Sequence, residues 1–242
     1  MKKDDLQSQY NNQSATVFTS AAIGLTVSSA LVFLTSSVNN LNTVAGVIFQ
    51  VISIGFMIFA YVMTVKGFSV IDKKCRLDEK NEHYYFGRNM KVFSILSVVL
   101  SVVFEIIAFV LFMMLSVYKE AGKLSADDAS AAATLKVLAS IVVIAAQLVS
   151  IAMPYIFYMW HIHKTAEKGN KIASIALITM LLMAVQSAIV ILNAVYSMRG
   201  GDTAFLSSFA ELLKVIEYLV LTVFFIYQNK SLAPVAELKI EE

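Results

Sequence analysis

Glu105, Gln147, Gln186 and Glu217 are the residues whose chemistry stands out, because each interrupts an otherwise apolar stretch of the chain. A carboxylate or carboxamide is costly to place in hydrocarbon, so it turns inward and finds polar partners. Glu105 lies about 13 residues in from Val92, and Glu217 about 13 residues in from Ala204, near the middle of the apolar stretches 92–118 and 204–228. Gln147 and Gln186 fall at similar depths in their own stretches. An acid or amide from each of four helices at one level suits an ion or substrate site, or a proton relay through Glu105 and Glu217. The competing expectation is a buried hydrogen-bonded cluster that only fixes helix packing.

A second group lies closer to the outer face: Lys136, Glu211 and Lys214. Glu211, Lys214 and Glu217 are three apart, so at about 100° per residue they cover a helix face roughly 120° wide, with Ser207 and Tyr218 inside it. Lys214 between two carboxylates partly neutralises the trio, and Lys136 is placed to offset the remaining negative charge. These three are therefore expected to form an outer charged cluster.

Other reactive residue types point to less. His161 and His163 flank Ile162, and on a helix such neighbours point apart, which makes a poor metal pair and a better interfacial cap. Cys75 is the sole cysteine, so no internal disulfide forms; it reads as an incidental residue among Lys73, Lys74 and Arg76, with a lipidated or redox-active thiol as the alternative. The chain has no phosphate-binding P-loop, no G-x-S-x-G, no H-E-x-x-H and no C-x-x-C. Nothing supports an enzyme, and no metal or cofactor is expected.

The elements that must position these residues follow from composition. The chain has 242 residues, 58% hydrophobic and 15% charged, with mean hydropathy +0.73. Soluble domains are about a quarter charged. No charge occurs from Leu6 to Val65, from Val137 to Trp160 or from Ile172 to Met198. Runs of this length span a bilayer. The expectation is an all-α, polytopic membrane protein: a bundle of six transmembrane helices over about 15–38, 43–65, 92–118, 129–160, 172–197 and 204–228, with tails at 1–14 and 229–242.

Lys and Arg number fourteen in the tails and the 66–91 and 161–171 connections, against three (Lys119, Lys123 and Arg199) in the opposite loops. Basic residues gather on the cytoplasmic side, so both termini are expected there, in a multi-pass protein of the cell membrane. The net charge of +2 is too small to suggest nucleic acid.

Local signals refine this plan. Ser20, Gly24 and Ser28 place small side chains on one face of the first span, suited to close packing. Asn39 to Asn42 reads as a tight turn, Ser125 to Asp128 as a helix start, and Pro154 as a kink. The basic 66–91 connection, with Phe68, Ile71 and Cys75 at helical spacing, reads either as a helix lying on the membrane surface or as a solvated linker. It is where anionic lipid headgroups or a cytoplasmic protein partner would bind; a homo-oligomer is equally compatible. Two functions follow: a small transporter, channel or transporter subunit with a midplane polar pathway, or a structural or accessory membrane protein that carries no cargo.

Overall fold

The computed structural model describes residues 3–37, 43–77, 81–120, 126–165 and 170–232. The Asn39–Asn42 turn, Lys80, Lys123, Ser125 and the chain beyond Leu232 lie outside the described residues. Within them all regular structure is helical: α1 (Lys3–Ser37), α2 (Thr43–Leu77), α3 (Asn81–Glu120), α4 (Ala126–Leu148), α5 (Ala152–Thr165), α6 (Lys171–Met198) and α7 (Ala204–Leu232). Five stretches are long and apolar enough to cross a membrane: Gln9–Ser36, Ala45–Leu77, Tyr85–Leu115, Ser130–Thr165 and Lys171–Met198. The fourth counts α4 and α5 together, and α7 is a further long helix.

Several helices outrun their apolar runs. The 40 residues of α3 extend roughly 60 Å at ~1.5 Å per residue, twice the hydrocarbon thickness. Residues 3–14, expected as a tail, continue α1. The 66–91 connection is neither a surface helix nor a linker, because α2 runs to Leu77 and α3 begins at Asn81. Phe68 and Ile71 are buried: the spacing that suggested a surface helix instead supplies the inward face of a longer α2. Asp72, 2% exposed, explains the basic residues nearby, since Arg76 reaches it at 3.1 Å and Lys91 at 3.7 Å.

The helices run up and down in a ring. Helix α1 packs on α2 and α7, α2 on α3, α3 on α4 and α5, and α6 on α4, α5 and α7. Antiparallel order follows from paired residues: Phe18 meets Phe68 and Phe225, Ser28 meets Ser53, Phe86 meets His161 and Asn193 meets Ser207. The start of α1 and the end of α7 therefore share one end of the bundle, here the near end; the 199–203 turn marks the far end. The small-residue face of α1 packs as its composition implies. A Cβ at Gly24 would come within 3.1 Å of Ala60 Cβ, and Ser28 bonds Ser53 at 2.9 Å. Ser20 instead bonds its own helix, at the carbonyl of Thr16.

The tightest core lies in the near half. Phe18 stands 4.9 Å from both Phe68 and Phe225, ring centre to ring centre, and 5.5 Å from Tyr158. Tyr155 and Phe224 are wholly buried in the same cluster, and Tyr155 shares a 2.7 Å hydrogen bond with Thr64. Offset and edge-on aromatic pairs add about 0.5–1.5 kcal/mol each beyond burial.

Candidate functional site

A break in the fourth span builds the site. Pro154 has no N–H to donate, and its ring would collide with the carbonyl four residues back, at Ser150. The helix therefore stops at Leu148 and restarts at Ala152, with the disruption before the proline rather than at it. Across the gap the bonds tighten: Ser150 N donates to Gln147 O at 3.3 Å and Met153 N to Ser150 O at 3.0 Å. Gln147 is thus left on the last turn of α4, beside the break.

Next to that break is a cavity of about 200 Å³, and Glu105, Gln147, Gln186 and Glu217 all line it. The four residues selected by depth in the sequence come from α3, α4, α6 and α7, and they border one space. Gln147 donates to Gln186 Oε1 at 3.0 Å and to Ser187 Oγ at 2.9 Å, which ties α4 to α6. Tyr61 on α2 donates to Glu105 Oε1 at 3.1 Å. Gln186 is 3% exposed and Glu217 1%.

Glu105 departs from the expectation that it turns fully inward. It is exposed and sits at the cavity rim, next to Ile106 on the apolar outer face of α3, which is 58% exposed.

The cavity is not satisfied by its own walls. Ser101 Oγ, Ser150 Oγ and Glu217 Oε2 are buried with no hydrogen-bond partner, and all three residues line this space. Each unmet buried polar group costs about 1–3 kcal/mol, and a charged one more. Among the described residues no Lys, Arg or His lies within 4 Å of the Glu217 carboxylate. The cavity has room for several waters at ~30 Å³ each in the liquid.

The outer charged cluster does not form as a unit. Glu211 instead takes a hydrogen bond from Ser36 on α1. Lys214 lines the same cavity as Glu217. Lys136 lines a second cavity of about 320 Å³, with Asn193, Thr203 and Ser207 near the far end. The 120° spread along α7 is the reason: it turns Glu211 towards α1 and Glu217 towards the interior. The two cavities share Val143 as a lining residue. Tyr61, Ile151 and Tyr218 belong both to the midplane lining and to the near-half core, so the aromatic cluster forms the cavity floor.

The histidines have separate uses, as their spacing implies. The His161 ring stacks on Phe86 at 3.8 Å between centres, while His163 Nδ1 lies 3.1 Å from Ala173 O. Cys75 is half-buried where α2 crosses α3, and a Cβ at Gly87 would lie 2.8 Å from its own.

Sequence reasoning missed Tyr61, Ser101 and Ser150. Ser94, Ser97 and Ser101 are all buried, and their i, i+3, i+7 spacing on a helix of Val, Leu, Ile and Phe was the available signal. No protein-family model, characterised protein or solved structure matches this chain.

Proposed function

We propose that the chain is a six-span protein of the cell membrane, with both termini cytoplasmic, that passes an ion or small polar solute along a polar pathway at the bilayer midplane. The observation that carries this reading is the convergence of Glu105, Gln147, Gln186 and Glu217 on one cavity bordered by unpartnered oxygens. A cluster that served packing alone would pair those atoms, because each unpaired one weakens the fold. A broken helix is tolerated at membrane depth where it lines a polar cavity, and α4–α5 does so.

Helix α7 serves as the sixth span because its charges are accommodated: Glu211 at Ser36, Lys214 and Glu217 at the cavity. The excess of Lys and Arg at the near end supports placing that end in the cytoplasm. The pathway then runs from the outside through the Lys136 cavity, past Val143, to the midplane, and stops at the aromatic floor. Without a nucleotide-binding motif, the driving energy comes from an ion gradient or a separate partner. Exposed Lys66, Lys73 and Arg88 suit anionic headgroups at the cytoplasmic surface.

The alternative, an accessory or scaffold protein without cargo, draws support from the dense aromatic core. Function in vesicles separates the two. With imposed proton and cation gradients, the wild-type protein should carry a flux that Glu105→Gln and Glu217→Gln each lower by about tenfold or more, a barrier change of ~1.4 kcal/mol. Equal flux with equal pH dependence in wild type and both variants contradicts the pathway.

A further inference from the structure

The amide of Gln147 and the hydroxyl of Tyr61 are committed at the cavity, whereas several buried oxygens around it are not. Gln147 commits its amide N–H groups to Gln186 and Ser187, and Tyr61 commits its hydroxyl to Glu105. What remains is a surplus of oxygen: Glu217 Oε2, Ser101 Oγ and Ser150 Oγ without partners, and the Glu105 carboxylate at the rim. With both carboxylates ionised, the single ammonium of Lys214 would leave the lining about one negative charge in excess.

From this inventory we infer that the cavity binds one small monovalent cation, an alkali-metal or ammonium ion, held by Glu217 and Glu105 with the hydroxyls of Ser101 and Ser150. The inference rests on the pathway reading and names its ligand class. Oxygen donors of this kind suit hard cations, and the lining offers no thiolate or imidazole for a transition metal. Among the described residues no three His, Cys, Asp or Glu side chains are grouped to hold a metal, and a single excess negative charge is neutralised by one monovalent ion rather than a divalent one. Lys214, three residues before Glu217 on the same helix and lining the same space, is the built-in competitor for that charge.

The test is thermal denaturation of the detergent-purified protein in sodium, potassium, lithium and ammonium chlorides, at constant ionic strength made up with N-methylglucamine chloride. At least one small cation should raise the melting midpoint saturably, as any ligand of the folded state does. Glu217→Gln should abolish that response or raise the half-saturating concentration by about tenfold or more. Ser150→Ala, a milder change, should weaken it without unfolding the protein. Lys214→Met should keep the response and shift half-saturation to lower concentration. Identical midpoints in every salt, a full response in Glu217→Gln, or its loss in Lys214→Met would each overturn the inference. A flat salt response beside an intact, Glu217-dependent vesicle flux would remove the cation and leave the pathway standing.

Discussion

Asp72 and Glu217 are both buried acids, 2% and 1% exposed, and the comparison between them separates structure from function. Asp72 has cationic partners, Arg76 and Lys91; it holds the near ends of α2 and α3 together. Glu217 has none within 4 Å among the described residues and an oxygen without any partner. Asp72→Asn should therefore lower stability by about 1.5–3 kcal/mol, the worth of hydrogen bonds to a charged group. Glu217→Gln, in N-methylglucamine buffer without small cations, should leave the melting midpoint level or raise it, because it removes a buried carboxylate whose Oε2 has no hydrogen-bond partner. Thermal melts of the two variants decide this, and a larger loss at Glu217 than at Asp72 goes against the account. The four midplane residues were legible in the sequence because each interrupts an apolar run at a countable depth. Their partners were not. Tyr61 reads as one more interfacial aromatic, and Ser101 and Ser150 as ordinary small residues of a membrane span; only the packed ring shows which hydroxyls are left over.

At the scale of elements, the α4–α5 break is what makes room. A continuous helix through residues 148–152 would bring Ser150 and Ile151 back into register and fill the space beside Gln147. Pro154 announced a disruption, but its location upstream follows from the proline's missing N–H and its clash four residues back, not from the residue's own position. Pro154→Ala restores the donor and relieves the clash, which in a helix interior is worth up to ~3 kcal/mol. The melting midpoint of this variant should not fall, while the vesicle flux should. Unchanged flux would mean that the break has no part in the pathway. The 66–91 stretch was misread for a related reason. Its charges suggested solvent, yet the buried Asp72 carboxylate pairs with Arg76 and Lys91, and the helices continue past the apolar boundary.

At the scale of the whole molecule, the ring closes between α1 and α7, where Thr26 and Thr222 share a 3.2 Å hydrogen bond and Phe18 stacks on Phe225. The all-helical class and the order of the long apolar helices were readable from hydropathy, since lipid demands uninterrupted apolar runs. Helix rotation about the axis was not readable, and it is rotation that sends Glu211 to α1, Lys136 to the far cavity and Glu217 to the midplane. The result is an asymmetric interior: polar cavities from the far end to the middle, and stacked aromatics from the middle to the near end. The central claim is that water reaches the midplane from the far end alone. In a Cys75→Ser background, single cysteines at Ser140, Ser150 and Ala176 sample the far cavity, the midplane cavity and the near core. A charged, membrane-impermeant thiol reagent added outside should modify Ser140→Cys fastest, Ser150→Cys more slowly and Ala176→Cys not at all. If Ser150→Cys is as inert as Ala176→Cys, the midplane is dry and the pathway account is contradicted.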